Sequence, residues 1–217
     1  MLLSINHACQ ARTTSAAFAL AIATYIGLHP AFLLPPLGLL CYDRLCEQTA
    51  GTSQSQSEKP SSKVASDRRN LPNGLLHALQ LAGTFLLASA FLLGLSRLLL
   101  PSWTFIPSVY LTHLQLPDLT PNAGLWWYFF IEMFDPFRAF FLGVFWLHML
   151  SYSVPFCLRL QKQPLAATVL MLGIIAIFEP YANIGDVGAF LSALCLLGHS
   201  FESQSPSHAL PTHAPYN

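Results

Sequence analysis

Leu75-Leu-His-Ala-Leu-Gln-Leu-Ala-Gly-Thr-Phe-Leu-Leu-Ala-Ser-Ala-Phe-Leu-Leu-Gly-Leu-Ser96 runs without a formal charge and ends on Arg97-Leu-Leu-Leu100. Crossing the hydrocarbon of a bilayer takes about 20 apolar residues in helical conformation, so this stretch is long enough to span. The composition around it agrees. Hydrophobic residues make up 53% of the 217, and charged residues only 9%, against about 25% charged in a soluble domain. Asp43 to Arg69 holds nine of the twenty charged side chains, which leaves long uncharged runs elsewhere. Ten basic and ten acidic residues cancel, so no charge excess draws the chain to nucleic acid. Five Cys without regular spacing exclude a disulfide scaffold and a CxxC zinc site. The pattern is that of a polytopic, all-α membrane protein.

Working outward, Thr13 to Tyr42 is also uncharged, but Pro30, Pro35 and Pro36 interrupt it. Proline removes a backbone donor and breaks or kinks a helix, so residues 1–42 are expected to hold one irregular span, broken near His29-Pro30. A cleaved signal peptide competes for this run. Only Arg12 precedes it as a basic residue and no A-x-A site ends it, which disfavours cleavage. Residues 43–70, with Thr52-Ser-Gln-Ser-Gln-Ser57, read as a disordered linker. The core, 71–199, continues through a loop at 101–122 and an aromatic half-helix at 124–134. Asp135-Pro136 then caps a helix over 137–158, a basic turn covers 159–164, and apolar helices follow at 165–178 and 187–198. Residues 200–217 read as a disordered polar tail. Arg44, Lys59, Lys63, Arg68 and Arg69 in the linker, with Arg159 and Lys162 in the turn, put those segments in the cytosol. The non-basic loops 101–122 and 179–186 then face the opposite, lumenal side.

Four ionisable residues fall near or within spans: Arg97, Glu132, Arg138 and Glu179. An intramembrane charge points to function by default, whereas long side chains near helix ends snorkel to the interface. Snorkelling is the expectation for Arg97, Arg138 and Glu179. Glu132 either pairs with a basic group such as Arg138 or hydrogen-bonds a polar ligand head. Ahead of it, Asn122 fits a helix N-cap, and a helix N-terminus offers free donors to phosphate. Trp126 to Phe130 are five consecutive aromatics. They suit either an interfacial belt or a surface against sugars and acyl chains. Catalytic patterns are poor. His148 and Cys157 lie nine residues apart, on different helix faces, and no His spacing matches a metal-ligand motif, so no catalytic residue, metal or cofactor is assigned. Cys41 and Cys46 offer sites for palmitoylation, and Ala90 with Gly94 a seat for a neighbouring helix.

Trp103-Thr-Phe-Ile-Pro-Ser-Val-Tyr110 and Leu116-Pro-Asp-Leu-Thr-Pro-Asn-Ala-Gly-Leu-Trp-Trp-Tyr-Phe-Phe-Ile-Glu-Met-Phe134 resemble the PIG-U family, a subunit of the GPI transamidase complex. Ala21-Ile-Ala-Thr-Tyr-Ile-Gly-Leu-His-Pro30, Ile174-Ile-Ala-Ile-Phe178 and Gly185-Asp-Val187 extend the resemblance from about Ala21 to His199, apart from the linker. Asp135-Pro136 departs from it, since the family more often has an acidic residue followed by His there. Family members are also longer at both ends, so the resemblance implies a truncated, incomplete version of the family's central part.

The resemblance implies a multi-pass endoplasmic reticulum membrane protein with a fold similar to the multi-spanning lipid-linked glycosyltransferases. It further implies a non-catalytic role in attaching GPI anchors to proteins: recognising the GPI lipid and scaffolding other transamidase subunits, the catalytic Cys–His pair lying in a separate caspase-like chain. Asn122, Trp127, Tyr128, Phe129, Phe130, Glu132 and Phe134 become the candidate GPI-lipid-binding residues, on the lumenal segment 101–134. The partners so implied are the other subunits, the GPI lipid and the membrane, with no nucleic acid. An enzyme of the GPI pathway, a mannosyltransferase using Asp118, Glu179 or Asp186, is the rival reading, and a nonfunctional truncated paralogue a third.

Overall fold

The computed structural model describes residues 1–54, 74–100 and 102–204. Every regular element among them is helical: α1 (Leu2–Cys9), α2 (Thr13–Ile26), α3 (Leu34–Gln54), α4 (Gly74–Leu99), α5 (Thr112–Gln115), α6 (Trp126–Ile131), α7 (Asp135–Arg159), α8 (Pro164–Phe178) and α9 (Ile184–Gln204). Helices satisfy their backbone groups internally, which hydrocarbon demands. Of these, α4 and α7 are long and apolar enough to cross a bilayer. Each also leaves most of its large apolar side chains uncovered, among them Leu87, Phe91 and Leu98 on α4 and Phe140, Leu147 and Leu158 on α7. Surfaces that apolar are tolerated in lipid, not in water. The chain is an all-α membrane protein.

The first forty residues depart from the single irregular span that their prolines suggest. A 3-10 turn at His29–Leu33 separates α2 from α3, and the two helices run in opposite directions. The neighbouring α4 shows this. Phe18 lies beside Thr84 and Ala88 and Tyr25 bonds Ser96, so α2 runs parallel to α4. Gly38 lies beside Leu81 and Tyr42 packs on His77 at 5.9 Å, so α3 runs antiparallel to it. Pro35 and Pro36 do not break α3, because they occupy its first turn, where the missing N–H has no intrahelical acceptor. The helix also continues past Asp43 to Gln54, further than a linker starting at residue 43 would allow. The rest of that linker, from residue 55, lies outside the described residues. So do Lys59, Lys63, Arg68, Arg69 and the tail from residue 205.

At the centre sits α8, with ten of its fifteen residues buried, packed among α3, α7 and α9. Small residues open the space: Ala16, Ala17 and Ala21 of α2 and Ala166 of α8 join one core with Leu20, Leu37, Met171 and Ile175. Close approach without bulk is how helices associate where lipid removes the hydrophobic drive. A second core, around Leu116, Trp126, Phe130 and Met149, lies under the aromatic segment. The last helix begins earlier and reaches further than residues 187–198, because Asn183 and Asp186 start it. Asn183 Oδ1 accepts from the Gly185 and Asp186 N–H groups at 2.7 and 3.2 Å, and Asp186 Oδ2 accepts from the Asn183 N–H at 3.2 Å. This reciprocal arrangement is a capping box with aspartate in the glutamate role. The loop 101–122 is partly helical too, with a π-turn at Pro107–Leu111 running into α5.

Gly173 marks the α8–α9 contact, where an added Cβ would lie 2.6 Å from the Phe190 ring. Gly143 on α7 has nothing within 4 Å. Gly173→Leu should therefore destabilise the bundle by about 1–3 kcal/mol through overpacking, while Gly143→Ala is neutral or stabilising. Thermal unfolding in detergent reads both. Equal midpoints for the two variants would refute this packing.

Candidate functional site

The candidate residues 122–134 stand on two loops laced together. The Asn122 Nδ2 donates to the Pro180 carbonyl at 3.1 Å, and the Ala123 N–H donates to the Ala182 carbonyl at 3.2 Å. The Asn122 Oδ1 accepts from the Gly124 N–H at 2.8 Å, and its backbone carbonyl accepts from Trp127 Nε1 at 2.9 Å. Only glycine fits at 124: a Cβ there would lie 2.9 Å from the Glu179 carbonyl oxygen and 3.1 Å from the Ala182 Cβ. Asn122 is therefore not the N-cap expected of it. The helix begins four residues later, at Trp126, and the asparagine amide is consumed in holding the loops together. With α6 only one and a half turns long, and its start packed under its own loop, the phosphate-binding helix end expected here is absent.

Helical period sorts the five aromatics. Trp126 and Phe130, four apart, face inward and are buried, ringed by Phe145 and Trp146 of α7 at 5.1 to 5.9 Å. Phe130 is thus a core residue, and its ring is closed to any ligand. Tyr128 is 64%, Phe134 79% and Phe129 38% exposed. Trp127 is half-buried, its ring nitrogen committed to Asn122. Tyr128, Phe129, Glu132, Met133, Phe134, Phe137 and Phe141 together line an open groove of about 280 Å³.

The pairing of Glu132 with Arg138 does not occur. Arg138 Nη2 instead donates to the carbonyl of Leu116, so its guanidinium turns inward rather than snorkelling. Leu116 needs that anchor, since it ends α5 in the left-handed conformation at φ 47°, which costs a non-glycine residue about 1–2 kcal/mol. Arg97 stays at the surface as expected, over the Trp103 ring at 5.7 Å.

Sequence reasoning missed a buried polar group at the turn of the α2–α3 hairpin. His29 is fully buried, with its Nδ1 3.4 Å from Glu179 Oε1 and its ring stacked on Trp146 at 4.8 Å. His113 approaches at 6.1 Å and packs edge-on against Tyr181 at 5.5 Å. Glu179 therefore points into the bundle rather than toward the interface. The signal was present only as a histidine ahead of a proline in an apolar run and a glutamate ending an apolar helix, 150 positions apart. Asp186 lies beyond Glu179, ahead of the apolar run from Val187. Burial first, and the nearby Glu179 charge second, push its carboxyl above the ordinary range. Among the described residues no three His, Cys, Asp or Glu side chains are grouped to hold a metal ion.

Asn122→Asp keeps the acceptor for Gly124 and loses the donor to Pro180. It should loosen the laced loops by about 0.5–1.5 kcal/mol, the net worth of one such bond. Hydrogen exchange at 117–125 and 179–183 should rise together, and exchange confined to one loop would refute the lacing.

The family described as GPI transamidase subunit PIG-U matches residues 1–209. The human GPI-anchor transamidase component PIGU is 42% identical over 107 residues, which are 49% of this chain and 25% of that protein. The GPI transamidase component GAB1 of Saccharomyces cerevisiae is 46% identical over 93 residues, 43% of this chain and 24% of that protein. The GAB1 homolog of Schizosaccharomyces pombe is 42% identical over 115 residues, 53% and 28% of the two chains. The matched segment spans about a quarter of the length of these relatives. With the family's pattern running through residues 1–209, the chain belongs to the PIG-U family.

Proposed function

We propose that this chain serves in the endoplasmic reticulum membrane as a non-catalytic subunit of the GPI transamidase complex, presenting the GPI lipid and scaffolding other subunits. The observation that carries the proposal is the laced loop pair, which spends Asn122, Gly124 and Trp127 on fixing one short aromatic helix. The helix leaves Tyr128 and Phe134 outward and largely exposed, Tyr128 meeting the Trp127 ring edge-on. Rigid support under an exposed aromatic face is what a lipid- or sugar-binding surface requires. The relatives named as transamidase components supply the complex. In this orientation the laced loops and the His29 turn face the lumen, and Arg159 and Lys162 face the cytosol.

The rival enzyme reading needs a carboxylate free to act on a sugar donor. Asp118 instead closes a turn onto the Thr120 N–H at 3.1 Å. Glu179 faces His29, and Asp186 is half of the α9 cap. With Asp118 and Asp186 committed to local bonds and Glu179 turned into the bundle, the scaffold is favoured over the transferase.

Affinity capture of the tagged chain from solubilised endoplasmic reticulum membranes tests the proposal. The caspase-like and other transamidase subunits should come down with it, together with GPI lipid. Tyr128→Ala with Phe134→Ala should keep the subunits and lower the lipid roughly five- to thirtyfold, as when an aromatic anchor worth about 1–2 kcal/mol is lost. A stable, inserted chain that captures no transamidase subunit refutes the assignment.

A further inference from the structure

We propose that the groove between α6 and the start of α7 takes the ammonium head group of a membrane lipid, with Glu132 as its counter-ion and Tyr128, Phe134 and Phe137 as its walls. This rests on reading the 122–134 segment as a lipid-binding surface, and it names the chemistry that surface selects. Seven residues line the groove. Five of them are aromatic, one is Met133, and Glu132 is the sole charge.

The carboxylate is uncommitted. The ion pairs found among the described residues, His29 with Glu179 and Arg44 with Glu47, both leave Glu132 out. Arg138, the basic residue next along the chain, spends its Nη2 on the Leu116 carbonyl. An unpaired carboxylate among aromatic faces attracts cations twice, by its charge and by the negative faces of the rings. The ring contribution alone changes affinity by a factor of roughly 2 to 30, depending on how dry the site is.

Other ligand classes fit less well. Phosphate would meet a like charge and no basic side chain. A bound calcium or magnesium ion needs about six oxygen ligands, whereas the lining supplies one carboxylate and one phenol. The groove volume, about 280 Å³, is several times the roughly 30 Å³ that one water occupies in the liquid, so it holds a head group of several heavy atoms. A lipid is favoured over a basic protein side chain by the surroundings. Phe134, Phe137 and Phe140 stand 57–79% exposed at the start of a helix long and apolar enough to cross a bilayer. Aromatic rings in that position sit at head-group level.

The test uses the full chain in nanodiscs of phosphatidylglycerol, which carries no ammonium, doped with phosphatidylethanolamine or its N-acetylated form. Native mass spectrometry reads the lipid retained. The intact amine should be retained about tenfold over the acetylated lipid, within the range given above for a cation on aromatic rings. Glu132→Gln should reduce that preference severalfold by removing the counter-ion, and Phe134→Leu should weaken the ring contribution that remains. Both side chains are exposed, so neither change should unfold the bundle; matching thermal midpoints check this. Equal retention of the two lipids, or a preference untouched by Glu132→Gln, overturns the inference. Capture of transamidase subunits by a chain without amine preference would overturn this inference alone. An amine preference in a chain that captures no subunits would support it while sinking the subunit assignment.

Discussion

A histidine without solvent holds the two halves of this molecule together. His29 sits at the turn of the α2–α3 hairpin, stacked on Trp146 of α7 and facing Glu179 at the end of α8. Both of its ring nitrogens are buried without a hydrogen-bond partner among the described residues. Glu179 faces Nδ1 at 3.4 Å without bonding it, so the turn is held by the ring stack and by packing against α7 and α8. The Ser153 hydroxyl adds a second tie, donating to the Phe32 carbonyl at 3.1 Å. At the same end of the bundle, Tyr110 donates to the Tyr25 carbonyl at 2.9 Å, and Tyr25 and Ser96 share a hydroxyl contact. Among the described residues, polar bonds between distant elements thus gather around the α2–α3 turn and toward the end that carries the laced loops, with the Ser153 tie set deeper along α7. The opposite end relies on apolar packing of Leu37, Leu40, Ala166 and their neighbours.

This asymmetry separates support from recognition. Trp126 and Phe130 are structural, and so are Asn122 and Gly124. The outward residues Tyr128, Glu132 and Phe134 contribute almost nothing to the core and are free to serve a ligand. Four residues apart on one short helix, Trp126 with Phe130 and Tyr128 with Glu132 fall on different faces for the same reason. A run of aromatics that looks uniform as a string is divided by the helical period into two inward rings and a set of outward ones.

Much of the architecture was legible because it rests on local pattern. The bounds of α4, α7 and α8 fall within one or two residues of the apolar runs that suggested them, since length and apolarity alone decide a spanning helix. The hairpin was not legible. Prolines read as breaks at 30, 35 and 36, yet two of the three lie where a first helical turn accepts them. The cap of α9 was hidden in Asn183 and Asp186, which resemble loop residues until their reciprocal bonds are seen. In the candidate site, an aromatic surface could be anticipated from the composition of the segment. The loss of Asn122 and Phe130 could not, because each is decided by a distant partner, Pro180 for one and Phe145 for the other. The His29–Glu179 contact belongs to the same class: neither residue has a local feature that names the other.

That contact also imposes an order on biosynthesis. Ribosomes add roughly 5–20 residues per second, so the 150 positions from His29 to Glu179 take about 8–30 s to make. Over that interval the hairpin turn has been synthesised and its acidic partner has not. The stack of His29 on Trp146 forms only after α7 has been made, and its approach to Glu179 only after α8. The arrival of Glu179 completes the surroundings of the turn.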